Sequence, residues 1–146
     1  KAMLDWVERM CAFRRAHPVL RRRRFFQGRS IRGSDTRDII WYRPDGQEMT
    51  GDDWGNAETR AFGFVLSGEA ADLVDERGDV MHDHTIGVIM NSSPDPVTFT
   101  LPRLPGRRRW HVAFDTNDPS IDDGHTLAQR TYPVESRSLA VFVASE

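Results

Sequence analysis

Beyond Arg37 the apolar residues of this chain change period. Asp38–Arg43 (DIIWYR) is rich in β-branched and aromatic residues and is closed by the turn sequence Pro44–Gly46. Thr50 and Asp52 can cap a short helical turn over Asp53–Ala57, and Arg60–Leu66 then alternates until Ser67 and Gly68 break it. A polar turn at Asp75–Gly78 precedes the mostly apolar run Thr85–Asn91, which ends in the N-S-S-P-D-P sequence of Asn91–Pro96. Val97–Leu101 follows. Pro102 and Pro105 bracket a rigid connection to Trp110–Asp115, where alternation predicts Trp110, Val112 and Phe114 on one side. After an acidic loop at Thr116–Gly124, Thr126–Tyr132 and Ser138–Val143 complete the set. Roughly six to eight short strands at intervals of about eight to twelve residues predict a mainly β fold, an antiparallel β-sandwich.

Before that change the pattern is helical. Met3, Leu4, Val7, Met10, Cys11 and Phe13 recur at three and four between Lys1 and Ala16, Trp6 widens the stripe, and His17-Pro18 ends it. A lone helix of this length is marginal in water, so the stripe calls for a partner, here expected to be a domain absent from the chain. Left open, it predicts self-association. Cys11 is expected to be a small buried hydrophobe, and as the single cysteine it excludes an internal disulfide. Lys1 opens the chain already inside the helical pattern with no capping residue before it, which reads as a fragment of a longer polypeptide.

Charge is divided unevenly. Residues 1–37 hold 11 Lys and Arg against 3 acids and the remainder 9 against 19, so one end is +8 and the other −10. A basic end attracts phosphate backbones. Yet Arg21, Arg22, Arg23 and Arg24 form one short block without a Lys-rich tail, and Phe25 with Phe26 reads as core rather than a stacking platform. The block is expected to be an interdomain or solvated face, with no nucleic-acid partner. No stretch has the length and apolarity of a membrane span and no signal peptide opens the chain, so it reads as soluble and cytoplasmic with no membrane partner.

Carboxylates are adjacent at Asp52-Asp53, Asp75-Glu76 and Asp122-Asp123, but each pair falls in a loop or cap with nothing to desolvate one member, so none is expected to be catalytic. His82-Asp83-His84 is the local histidine cluster. Its two rings share a side if the segment is extended, with His111 or His125 to be supplied by folding, and two ligands do not make a metal site. Gly28 and Gly33 with Ser30 and Ser34 are too widely spaced for a phosphate cradle and read as a mobile crossing. No cofactor and no metal are expected. Among the aromatics, Trp41 and Trp110 are expected in the core and Trp54, behind two acids, at the surface or an interface.

Leu4–Arg24, with its His-Pro and Arg-rich segment, resembles the last barrel helix of the glycogen-debranching, isoamylase-type branch of the α-amylase superfamily, glycoside hydrolase family 13. The likeness runs on through Asp38–Trp54, with W-Y-R-P-D-G-Q-E-M-T-G-D-D-W at Trp41–Trp54, and through Gly63–Gly68, Asn91, Pro96–Pro102, Trp110, Asp115-Thr116 and Arg137–Val143. It implies residues 1–24 as the last helix of a (β/α)8 barrel with its exit, 25–37 as a linker and 38–146 as a C-terminal β-sandwich. It also implies a parent enzyme hydrolysing α-1,6-glucosidic branches of glycogen or limit dextrin, whose catalytic carboxylates lie in the N-terminal catalytic barrel. The partners implied are that barrel and an α-glucan. Arg21, Arg22, Arg23, Arg24, Met49 and Trp54 are expected to face the barrel or lie near sugar, and would then be exposed in this chain. A stand-alone carbohydrate-binding sandwich or an interdomain docking module is the alternative.

Overall fold

The computed structural model describes residues 1–30, 36–69, 74–121 and 125–145. They belong to two compact units, Lys1–Ile39 with Leu66–His84, and Ile40–Val65 with Thr85–Glu146. Asp122 and Asp123, and Gly33 with Ser34, lie outside the described residues.

The strands are β1 (Ile39–Tyr42), β2 (Ala61–Leu66), β3 (Thr85–Asn91), β4 (Val97–Thr100), β5 (Arg109–Asp115), β6 (His125–Thr126), β7 (Thr131–Val134) and β8 (Ser138–Ser145). Six of them form one sheet in the order β1-β2-β3-β8-β5-β6, and β4 pairs with β7 in a second. The fold is mainly β, two antiparallel sheets preceded by a helix. The period-2 pattern explains why the sheets can pack. Along β8, Ser138, Ala140, Phe142 and Ala144 are buried while Leu139, Val141, Val143 and Ser145 alternate with them on the more open face. The buried set meets Ile89 of β3, Trp110 and Val112 of β5, and Phe99, Leu101 and Val134 from the smaller sheet. Phe142 lies at the centre, fully buried, with the rings of Tyr132 and Trp110 edge-on at 5.1 and 6.5 Å. The Trp110 indole N–H donates to the Pro102 carbonyl at 3.0 Å, so this large side chain enters the core with its polar atom satisfied.

Two expectations fail at the far edge of the sheet, both through register. Val112 pairs with Phe142 but Phe114 pairs with Val141, because Ala113 is inserted between them as a bulge. The extra residue turns Phe114 to the face opposite Trp110 and Val112. The run Thr126–Tyr132 is likewise not one strand. The Leu127 N–H still reaches the Trp110 carbonyl at 2.9 Å, after which the chain bends and β7 joins β4 instead. At this corner the Leu101 N–H donates to the Arg130 carbonyl at 2.7 Å, and the Arg130 guanidinium returns a bond to the Leu101 carbonyl at 2.8 Å. A sandwich closes by strands that change sheets at such corners.

The other unit begins with α1 (Ala2–Ala16), which ends where the sequence places its stop: His17 is extended, as Pro18 requires, and a 3₁₀ turn follows over Pro18–Arg21. No residue of α1 is buried. Met3 and Leu4 are 74% and 60% exposed, and Cys11 is exposed as well, against the expectation of a buried thiol. Along the α1 stripe the Phe13 ring lies 4.4 Å from the His17 ring, while Met3, Leu4, Val7 and Met10 stay exposed. Phe25, expected in a core, is also exposed, whereas the Phe26 ring lies 4.3 Å beneath the Arg22 guanidinium.

Asp38 organises the segment after the 3₁₀ turn. Its carboxylate accepts from the backbone N–H groups of Gln27, Gly28 and Ile39 at 2.8–2.9 Å and from Arg22 Nη1 at 3.2 Å. Burial pushes its pKa up, and the three amides and Arg22 outweigh that, holding it below the usual carboxylate range. Gly28, read from sequence as part of a mobile crossing, is therefore tied to a fixed acceptor.

Candidate functional site

The run Trp41–Trp54 is built as a strand, a tight turn and a capped helical turn. After β1 the Gly46 N–H donates to the Arg43 carbonyl at 3.0 Å and the Arg43 N–H to the Gln47 carbonyl at 2.8 Å. Gly46 has φ +83°, and a Cβ there would sit 3.0 Å from the Thr100 carbonyl oxygen, so only glycine fits this bend. Asp45 locks it by accepting from Arg43 Nη2 at 2.7 Å and from the Gln47 N–H at 3.0 Å. The chain returns along β1, with the Met49 N–H donating to the Trp41 carbonyl at 2.9 Å, and enters α2 (Gly51–Gly55).

Thr50, not Asp52, caps α2. Thr50 Oγ1 accepts from the Asp53 N–H and the Asp53 carboxylate accepts from the Thr50 N–H at 2.7 Å, a reciprocal capping box. The bonds from the Thr50 backbone and hydroxyl, with a smaller contribution from Arg43, hold the Asp53 pKa below the usual range. Thr50→Ala should cost about 1 kcal/mol and expose the α2 amides. Amide exchange at Asp53 against that at the β8 amides checks it, and equal protection before and after the substitution would reject the cap.

Trp54 stands 53% exposed at the end of this run, as expected of a surface or interface residue. Its ring meets Trp41 edge-on at 5.3 Å and Phe62 at 5.9 Å, while Trp41 also packs on Phe64 at 5.1 Å. Trp41 is half-buried beneath it, so the core expectation holds fully for Trp110 alone. Met49 is buried and therefore not open as anticipated; its strand return turns it inward. Beside it a shallow cleft of about 350 Å³ is lined by Arg43, Met49, Asp53, Thr59 and Arg60.

In the other unit the Arg block divides. Arg22 is engaged with Asp38 and Phe26 and its side chain is 5% exposed, while Arg21, Arg23 and Arg24 are exposed. The histidines regroup as well. His111 bonds Thr126 Oγ1 at 2.9 Å within the sandwich, and His82 is exposed. His17, which sequence analysis left aside, comes to Asp83 at 2.8 Å, and His84 joins them with ligand atoms all within 4.8 Å.

The family described as Isoamylase, C-terminal, matches residues 38–143. This chain belongs to that family. The Glycogen operon protein GlgX homolog of Mycobacterium tuberculosis is 38% identical over 141 residues, covering 95% of this chain and 20% of the relative. The Isoamylase of Pseudomonas amyloderamosa is 30% identical over 113 residues, covering 77% and 12%, and that of Flavobacterium sp 26% over 149 residues, covering 95% and 18%. The chain spans a fifth or less of the length of these relatives.

Within this isoamylase C-terminal domain the acidic groups are arranged for structure. Asp53 closes the α2 cap, and Asp75 accepts from the Arg77 and Asp79 amides in an exposed turn. A part-buried hydroxyl–carboxylate pair was not anticipated: Tyr132 Oη donates to Asp115 Oδ2 at 2.5 Å. Burial first, and then the bond to Asp115, push the Tyr132 hydroxyl far above its ordinary value, so it remains a donor. This pair ties β7 of one sheet to β5 of the other. Asp38, Asp45, Asp53 and Asp118 are held below the usual carboxylate range, the opposite of what a glycosidic acid catalyst needs. No helix among the described residues is long and apolar enough to cross a membrane.

Proposed function

We propose that this chain is the accessory C-terminal region of a cytoplasmic debranching hydrolase that cleaves α-1,6-glucosidic branches of glycogen or limit dextrin, and that the region itself is non-catalytic. Membership of the isoamylase C-terminal family, with 95% of the chain aligned to one fifth of a GlgX homolog, carries the reading. On this reading residues 1–24 are the end of the catalytic barrel, 25–37 a linker and 38–146 the sandwich. Arg21, Arg23, Arg24 and Trp54 meet the rest of the enzyme, as does the apolar stripe of α1, which would self-associate when left uncovered. Exposed guanidinium groups complement acidic loops, and Trp with the methionines of α1 supplies adaptable apolar contact.

Incubating the 146-residue chain with limit dextrin should release no reducing ends, and release above a heat-killed control would overturn the assignment. A second reading has its own observation: Trp54 is half-exposed and braced from behind by Trp41 and Phe62, the arrangement of a sugar-stacking platform. Tryptophan fluorescence titrated with maltooligosaccharides separates the two. Docking predicts no saturable change up to millimolar sugar. Saturable quenching that disappears in Trp54→Ala would move the function to glucan binding.

A further inference from the structure

Asp83 is held as a fixed carboxylate. Its Oδ2 accepts from the Val19 N–H at 2.9 Å, and its Oδ1 accepts from the His84 N–H at 2.7 Å and faces His17 Nδ1 at 2.8 Å. The side chains of Asp83 and His17 are 4% and 13% exposed, so they are withdrawn from water, while His84 opens to it. The segment is anchored from behind, since the Asp83 N–H donates to the Gly68 carbonyl at 3.0 Å. A Cβ on Gly68 would fall 2.0 Å from the Asp83 carbonyl oxygen, so glycine is what lets the two backbones approach.

We propose that His17, Asp83 and His84 bind a divalent transition-metal ion of the zinc class. The set has the right chemistry: two imidazole nitrogens and one carboxylate oxygen are ligands for borderline cations, and alkaline-earth ions need more oxygens than this site offers. Its geometry is close to what is needed. Two ligands on one tetrahedral ion stand about 3.3 Å apart, so His17 Nδ1 and Asp83 Oδ1, now at hydrogen-bond distance of 2.8 Å, need separate only by about 0.5 Å to admit it, and His84, within 4.8 Å and exposed, can close the remaining gap by turning its ring. One lone pair of Asp83 Oδ1 is occupied by the His84 amide and the other faces His17, so the ion takes the place of the hydrogen bond there. A His17 ring that binds the ion through Nδ1 carries its proton on Nε2. The Val19 and His84 amides orient the carboxylate, as outer contacts do in metal sites. Three protein ligands leave the fourth position to water. The ion would pin residues 83–84 to the turn that ends α1, a structural role independent of the proposed debranching activity.

The test is equilibrium dialysis of the untagged, chelator-treated chain against Zn2+, with Co2+ as the absorbing probe and His84→Ala as the decisive variant. His84→Ala removes a ligand while leaving the His17–Asp83 and Val19–Asp83 bonds in place. One equivalent should bind saturably, raise the melting temperature and give a visible Co2+ band; His84→Ala should weaken binding about 10-fold or more and lose the band. His82→Ala and His125→Ala should leave both unchanged. Equal binding by wild type and His84→Ala, no saturable binding at all, or loss of binding through His82→Ala would each overturn the proposal.

Discussion

Phe142→Ala is expected to destabilise the sandwich by about 3–5 kcal/mol, a large part of what holds a domain of this size together. The ring is fully buried on β8, the strand that hydrogen-bonds to both β3 and β5, and it receives Tyr132 and Trp110 edge-on. Removing it loses the transfer of the ring from water and two aromatic contacts, and leaves a cavity between flanking strands that are fixed by their ladders. Collapse into the space is limited because Val112 and Gly87 sit opposite it in register. Urea unfolding followed by β-sheet circular dichroism gives the number. Val141→Ala, on the more open face of the same strand, is the control, expected to cost well under half as much. Equal losses at the two positions would mean that the alternation of β8 does not define the core.

Asp38→Asn is expected to cost about 3 kcal/mol in the unit that contains it, because three amides and a guanidinium converge on one buried carboxylate. An Asn side chain offers one oxygen to those donors and points an NH2 at the rest. The effect is read as lost amide-exchange protection at Gln27, Gly28 and Ile39. Its pH dependence has a definite sign. The folded pKa lies below the unfolded value, so the stabilisation is fully present above about pH 4 and is lost as pH falls through the folded value. Wild type should therefore approach the variant on acidification and diverge from it towards neutrality. A difference that stayed constant through the acid range would show that the charge of Asp38 contributes nothing.

The features legible in the sequence were those written in neighbouring residues. The β strands at Ile39, Ala61, Thr85, Val97, Arg109 and Ser138 follow from period-2 alternation and β-branched content, and α1 from its three-and-four spacing with a Pro18 stop. The Pro44–Gly46 turn announces itself through Gly46. Trp54 at the surface followed from the acids that precede it. The capping residue of α2 was left open between Thr50 and Asp52, both good caps, and the Asp53 amide, which Thr50 reaches, decides between them; the helical turn itself starts two residues earlier than expected.

What lay beyond the sequence depends on partners far along the chain. Ala113 is an extra residue of β5 against β8, a matter of cross-strand register, so Phe114 changes face although its neighbours keep a strand pattern. Asp38 reads as the polar start of a strand, yet becomes a hub because Arg22, Gln27 and Gly28 are delivered to it across the segment before β1. His17 and Asp83 are 66 residues apart and carry no spacing signal; they meet because Asp83 completes the turn at Val19. The sequence by itself determined the helix, the family and every strand but those of the run Thr126–Tyr132, since side-chain period and turn chemistry act between adjacent residues. Only the tertiary structure decided which acids are buried, which arginine is engaged and which histidines converge, since burial and pairing are properties of segments brought together by packing.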